Sequence, residues 1–254
     1  MCDIVIAADG VESRVGRWAG IDTKVRMADI DTCVQYTLAN LDIKENRCEF
    51  FFGNEKCPGG YIWIFPKSDN TANVGLGIAG HRITDKSPKD YLDVFVQERF
   101  PNASITYTVY GGVPTAATLK EIVKDNLMLV GDAARQVNPI TGGGIVQGMI
   151  AGAFAGKVAA DAIKKGDYSK KFLKSYEKKW NKALGANQKF MFSVKELFMG
   201  MPDSRFDNLV EMCSKIPREK FTLKELFKEA IKGDPKLLAE MAKSFLVSKL
   251  NLKF

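Results

Sequence analysis

One segment constrains this chain more than any other: residues 126–152, NLMLVGDAARQVNPITGGGIVQGMIAG. A short apolar strand ends in Gly131–Asp132. A linker of small residues follows, and Pro139 and three glycines then open a long helix, expected from about Gly143 to Lys165. Glycine lets backbone N–H groups come close to another molecule. The first turn of a helix offers unpaired N–H groups and the positive end of the macrodipole. This order of strand, tight turn and glycine-opened helix belongs to an α/β unit.

The ligand chemistry follows from the same residues. Unpaired N–H groups favour an anionic part, such as a pyrophosphate or the N1–C2=O edge of a reduced flavin. Asp132, at a strand end, is placed to accept hydrogen bonds from a ribose or ribityl hydroxyl. Gly144, Gly148, Gly152 and Gly156 recur every four residues, so one helix face is nearly bare. Close packing of helix on sheet explains that row as well as ligand approach does. A membrane helix pair does not, because Gln147, Lys157 and Asp161 interrupt it.

A second α/β piece stands at the start. Residues 2–8 (CDIVIAA) read as a buried parallel strand ending in Asp9–Gly10. Ser13 is a cap for a short helix through Trp18, which Gly20 closes. Between the two pieces the pattern changes. Apolar alternation with turn residues marks strands at 32–41, 47–53, 60–66, 72–79 and 104–111. One helix interrupts them, from Pro88 to about Phe100, with Tyr91, Leu92, Phe95 and Val96 as its apolar stripe. From Ser169 onward the pattern is helical and lysine-rich, with breaks near Pro202, Pro217 and Gly233–Pro235. The expected fold is therefore α/β (α+β). Residues 1–28 and 114–166 form a partial nucleotide-binding, Rossmann-like domain. An antiparallel β-sheet domain at 29–113 interrupts it, and a helical region follows at 167–254.

Several classes are excluded. The five cysteines form no CxxC pair, and His81 is the only histidine. Zinc sites, multi-histidine metal sites and a serine–histidine triad are disfavoured, and no metal is expected. The cysteine usage and the absence of a signal-peptide pattern point to a reducing, cytoplasmic location. No run approaches the roughly 20 apolar residues that span a bilayer. Charge is uneven: residues 1–150 hold 15 Lys+Arg against 18 Asp+Glu, and residues 151–254 hold 22 against 12. A basic back half suits solvated helix faces, a phosphate group or the surface of a membrane. No aromatic-interleaved basic motif points to nucleic acid.

A third motif lies in the sheet region. Residues 58–66 read PGGYIWIFP. In a strand, Tyr61, Trp63 and Phe65 share one face, and Ile62 and Ile64 share the other. Three large aromatics form either a wall for an apolar ligand or part of a sheet core. VGLGIAG, with Gly75, Gly77 and Gly80, contains G-x-G-x-x-G, but it lies among strands with no long helix opening from it.

The Ala-Asp-Gly turn and the Gly-Asp segment together resemble the flavoprotein group typified by p-hydroxybenzoate hydroxylase. That resemblance implies FAD, with Asp132 on the ribityl chain. Pro139, Gly143, Gly144 and Ile145 would stand at the isoalloxazine, and Ala8 near the cofactor. The Y-x-W-x-F-P strand and VNPITGGGI narrow it further, to the geranylgeranyl reductase family. Its archaeal members saturate the isoprenoid chains of ether lipids. The resemblance implies hydride delivery from reduced FAD to an alkene of a geranylgeranylated lipid, with Tyr61, Trp63 and Phe65 on the substrate. It implies an electron donor such as ferredoxin, reduced deazaflavin or NAD(P)H, and leaves peripheral membrane contact open. Cys57, beside the aromatic motif, is the candidate catalytic proton donor, with Tyr61 second. The family's amino-terminal βαβ unit with its GxGxxG loop has no counterpart in this sequence, so the FAD domain is expected to be incomplete. A flavin monooxygenase, and a non-catalytic chain completed by a separate nucleotide-binding partner, are the competing readings.

Overall fold

The structure, a computed structural model, describes residues 2–44, 46–220 and 222–251. In chain order its elements are β1 (Val5–Ala7), α1 (Arg14–Trp18), β2 (Asp31–Ala39), β3 (Glu49–Phe51), β4 (Tyr61–Pro66), β5 (Ala72–Ala79), α2 (Pro88–Arg99), β6 (Ser104–Val113), β7 (Val123–Lys124) and β8 (Leu127–Leu129). The helices α3 (Ile145–Lys165), α4 (Lys170–Trp180), α5 (Ala186–Met199), α6 (Asp203–Ser214), α7 (Leu223–Gly233) and α8 (Pro235–Asn251) follow. The chain packs as two compact units. One holds Met1–Thr32 and Gly111–Phe192, the other Cys33–Tyr110 and Ser193–Phe254. The region expected as one helical tail divides between them near residue 192.

In the first unit β1 runs parallel to β8, pairing Val5 with Leu127, Ile6 with Met128 and Ala7 with Leu129. The short β7 adds to β8 antiparallel, giving the order β1-β8-β7. β1 was expected to be buried throughout, yet only Ala7 is; Val5 and Ile6 are 39% and 38% exposed. The reason is position, since β1 is an edge of this sheet. Ser13 caps α1 by accepting from the Gly16 N–H at 3.3 Å.

α3 buries Ala151, Ala155, Val158, Ala159 and Ala162, and Leu173, Tyr176 and Trp180 of α4 join them in one core. The glycine row does not serve as the packing face. A side chain at Gly148 would meet Gly131, but at Gly152 and Gly156 it would meet open space. Alanine, not glycine, brings α3 onto the sheet. A π turn, Asn181–Gly185, links α4 to α5. A Cβ at Gly185 would fall 2.6 Å from Asn181 Oδ1 and 3.0 Å from Trp180 Nε1, so a larger residue in this widened turn requires the exposed Asn181 side chain to move.

The second unit is built on a sheet of order β3-β4-β5-β2-β6. β3, β4 and β5 pair antiparallel, with Phe50 opposite Trp63 and Trp63 opposite Gly75. One face buries Val34, Tyr36, Leu38, Ile62, Ile64, Val74, Leu76 and Ile78. α2 covers that face with Leu92, Phe95 and Val96. Its start is a capping box in which Ser87 Oγ accepts from the Asp90 N–H and Asp90 accepts from the Ser87 N–H. The chain thus has the mixed α/β fold expected, with an antiparallel sheet and a helical carboxyl-terminal region.

Candidate functional site

The first group of predicted residues lies in the first unit. β8 runs into a 3-10 turn, Gly131–Ala134, bounded by left-handed residues at each end: Gly131 at φ 65° and Arg135 at φ 56°. Gly131 adopts this backbone freely; Arg135 does so at a cost. Buried polar side chains hold the turn. Gln136 Oε1 accepts from the Gly131 N–H at 2.8 Å. Gln136 Nε2 donates to Tyr176 OH at 2.8 Å, and that hydroxyl donates to the Leu129 carbonyl at 2.9 Å. Gln136 and Tyr176 are both fully buried. A second brace runs through Gln188, whose amide donates to the Ala116 carbonyl at 3.1 Å and to the Arg135 carbonyl. The Arg135 guanidinium reaches the Lys24 carbonyl.

Asp132 is presented by this turn. Burial pushes its carboxyl above the usual carboxylate range, and among the described residues no group donates to its oxygens. A half-buried carboxylate without a donor is costly unless a ligand supplies one. Beside it the loop 138–143 is folded by Asn138, whose Oδ1 accepts from the Ile140 and Thr141 N–H groups. Gly142 sits at φ 68°. Gly144 is the N-cap of α3 and has no side chain to cap it. A Cβ there would stand 3.2 Å from Asp132 Oδ1. Pro139 is buried, and Ile145 is exposed on the first turn of α3. Asp132, Gly143, Gly144 and Ile145 therefore lie together, with backbone at Gly143 and Gly144 facing outward. Ala8 is exposed directly after β1. The neighbouring Asp9 is spent on α1, accepting from Ser13 Oγ at 2.8 Å and the Val15 N–H at 2.9 Å.

These features fit the ribityl and ring portion of FAD. They supply an acceptor for a polyol hydroxyl and bare backbone beside an uncapped helix start. The G-x-G-x-x-G of residues 75–80 is not a phosphate loop. Its first two glycines lie in β5 and Gly80 opens the 3-10 turn that follows, and the first glycine makes room for an indole: a Cβ at Gly75 would fall 2.4 Å from Trp63 Cζ2.

The second group lies in the second unit. Tyr61, Trp63 and Phe65 project from β4 opposite the buried Ile62 and Ile64, as alternation requires. They do not stand alone. Phe50 lies 5.8 Å from Tyr61 and 5.7 Å from Phe65 between ring centroids. Phe52 is 5.8 Å from Tyr61 and stacks on Phe206 of α6 at 6.1 Å. Trp63 stacks on Phe65 at 6.0 Å, and its Nε1–H is satisfied by Gln35. Six rings thus form one partly exposed surface. Phe50 and Phe52 were legible in the FFF run at 50–52, where period two sends Phe51 to the core and its neighbours to the other face. Phe206, far along the chain, carried no such signal.

Cys57 is not on that surface. It is 1% exposed and belongs to the core beneath the sheet. Its S–H points at the Gly53 and Phe51 carbonyls, at 3.4 and 3.6 Å. Burial, with the Asp203 charge adding, pushes the thiol up to about 12. The loop around it is pinned by Asp203, whose carboxylate accepts from the Asn54 N–H and side-chain amide. These contacts place the Cys57 thiol in the core with Ile62 and Ile64, on the other face of β4 from Tyr61, Trp63 and Phe65. Among the described residues no cluster of histidine, cysteine or carboxylate has the makings of a metal site.

Residues 29–113 match the geranylgeranyl reductase catalytic domain. Over 241 residues the chain is 47% identical to the digeranylgeranylglycerophospholipid reductase of Methanosarcina acetivorans, covering 94% of this chain and 59% of that protein. The crystal structure of a geranylgeranyl bacteriochlorophyll reductase-like protein from Thermoplasma acidophilum superposes with a TM-score of 0.89 at 33% identity, covering 96% of this chain and 62% of the other. A flavin-dependent brominase shares the fold at 16% identity and a TM-score of 0.63. The fold shared with these structures is a mixed α/β one with an inserted antiparallel sheet. Residues 29–113 are a geranylgeranyl reductase catalytic domain, and over 94% of its own length the chain is similar to digeranylgeranylglycerophospholipid reductases. It spans about three-fifths of the length of the relatives it matches.

Proposed function

We propose that this chain carries the ring-side half of the FAD site and the lipid-binding sheet of a reductase that saturates C=C bonds in the geranylgeranyl chains of ether glycerophospholipids. The observation that carries the reading is Asp132, a half-buried carboxylate with no donor among the described residues, beside the side-chain-free start of α3. When bound, FAD supplies the hydride. Asp132 accepts from a ribityl hydroxyl. The backbone at Pro139, Gly143, Gly144 and Ile145, with Ala8, lies against the cofactor. Gln136 and Tyr176 keep the turn in place without touching it.

Tyr61, Trp63 and Phe65, joined by Phe50, Phe52 and Phe206, receive the isoprenoid chain. Each CH₂ removed from water there contributes roughly 0.8 kcal/mol. A stack of rings grips a hydrocarbon without polar contacts, which suits a substrate whose reactive bond has no charged neighbour. The reductant is a small electron-transfer protein, a reduced deazaflavin or NAD(P)H. The substrate's location calls for contact with a membrane surface, and no described helix is long and apolar enough to cross one.

The test is expression of the chain with and without a nucleotide-binding βαβ segment, followed by a flavin absorbance spectrum and mass spectrometry of host lipids. A flavin band and a gain of H₂ per reduced bond are expected with the segment. Colourless protein with unchanged lipids under both conditions overturns the reading, and substrate-coupled oxygen uptake replaces it with a monooxygenase.

A further inference from the structure

We propose that the exposed face of α4 and of the π turn that continues it, carrying Lys171, Lys174 and Lys178 on the helix and Lys182 on the turn, docks the protein on an anionic lipid bilayer. The choice of occupant rests on the lipid-substrate reading above; the geometry of the face does not. The four lysines are spaced by three, four and four residues, so they form one row along the helix. All four are exposed. The opposite side of α4 is fully buried through Leu173, Tyr176 and Trp180. The helix is thus fixed with its charged side outward.

Six other lysines stand in ion pairs with carboxylates: Lys89 with Asp93, Lys124 and Lys170 with Glu121, Lys215 with Glu211, Lys228 with Glu225, and Lys232 with Glu229. Among the described residues, none of the four lysines of the row has such an ion pair, although Lys171 helps to hold the Asp167 carboxyl low. Like charges three and four residues apart weaken a helix, and this helix is held by its other face. An extended anionic surface relieves that repulsion.

The composition favours a bilayer over a nucleic acid. The row is all lysine, with no arginine to fork onto phosphates and no aromatic on its face to stack on bases. A lysine row is the diffuse, non-specific attraction that anionic headgroups reward.

The experiment is cosedimentation of the purified chain with vesicles of phosphatidylglycerol mixed with phosphatidylcholine, against phosphatidylcholine alone. Binding is expected only to the anionic vesicles, and raised salt removes it. Each lysine is worth roughly fivefold in partition. The K171Q/K174Q/K178Q/K182Q variant should therefore bind on the order of several hundredfold more weakly, while melting no lower than the parent. A control, K89Q/K215Q/K228Q/K232Q, makes the same change in net charge and should retain most binding. No binding by the parent, equal binding by the α4 variant, or an equal loss in the control overturns the proposal. So does tighter binding to a duplex oligonucleotide than to the vesicles. None of these outcomes depends on alkene reduction, so failure here leaves the enzymatic reading standing, and the reverse also holds.

Discussion

The two units present their candidate surfaces by opposite means. In the first, backbone forms the candidate surface: Gly131, Gly142 and Gly144 leave it bare, and Asp132 is the one candidate ligand-binding side chain among them. Side chains work from behind, through the buried hydrogen-bond chain Gly131–Gln136–Tyr176–Leu129. In the second, side chains form the surface and the sheet behind them is apolar throughout. A polar ring system and a hydrocarbon chain call for these two solutions. Hydrogen-bonding edges need donors and acceptors fixed in direction, which a braced backbone supplies. A hydrocarbon needs area, which rings on alternate strand positions supply.

The contrast predicts where each unit is fragile. The largest effect belongs to the sheet unit, where the aromatic strand lies against its neighbour. A Cβ at Gly60 would fall 1.9 Å from the Gly77 carbonyl oxygen, which no side-chain shift relieves. G60A should destabilise by about 3 kcal/mol or more, at the top of the overpacking range. Urea unfolding measures it; a cost under about 1 kcal/mol would mean that the strand pair slides freely, and the surface would lose its fixed spacing. Next is Y176F in the first unit. It deletes one oxygen, leaving the Gln136 amide and the Leu129 carbonyl without their partner in a fully buried place. The expected loss is about 1–3 kcal/mol. A cost near zero would show that the turn holds itself, and the distinction between braced backbone and self-supporting sheet would fail.

The same contrast explains what was legible beforehand. α2 announced itself because Ser87, Pro88 and Asp90 are local signals and its stripe has a clean period. The aromatic face of β4 was legible for the same reason, since alternation is a property of neighbours in sequence. The glycine loop could be read because glycines at a helix start have few other uses. The braces could not. The long-range bonds of Gln136, Tyr176 and Gln188 act across 40 to 72 residues of chain, and nothing local distinguishes a buried glutamine from a solvated one. Tyr176 and Trp180 did form an apolar pair four apart on a lysine-rich helix, a trace that the emphasis on charge concealed. Cys57 was misplaced because adjacency in sequence to Tyr61 was read as adjacency in space. The turn at 58–60 sends the thiol to the core face and the ring to the other.

A smaller effect tests that last point. With its thiol buried and held near 12, Cys57 should resist alkylation in the native protein while the exposed Cys2 and Cys48 react. Labelling by iodoacetamide followed by peptide mass spectrometry should show Cys57 slower by about 100-fold or more. Rapid native labelling of Cys57 would return it to the accessible surface and revive its candidacy as a proton donor.

The smallest effect carries the sharpest information about the first unit. Asp132 is raised by burial alone, so the folded protein holds its proton at pH values where the unfolded chain has released it. That contribution to stability is fully present below the unfolded carboxyl value of 3.8 and is lost as pH rises through the higher folded value. At neutral pH the ionised Asp132 is therefore a liability in the ligand-free protein. D132N removes it and should raise Tm by about 1–3 °C at pH 7, a small change because the group is only partly buried. Below pH 3.8 parent and variant should converge. The ordering reverses if a polyol hydroxyl supplies the missing donor: added FAD should raise the parent's Tm more than that of D132N. A variant that is no more stable than the parent at pH 7, and gains as much from FAD, would mean that Asp132 already has a donor within the fold. The turn would then be a structural corner, and the braces behind it would be holding nothing for a ligand.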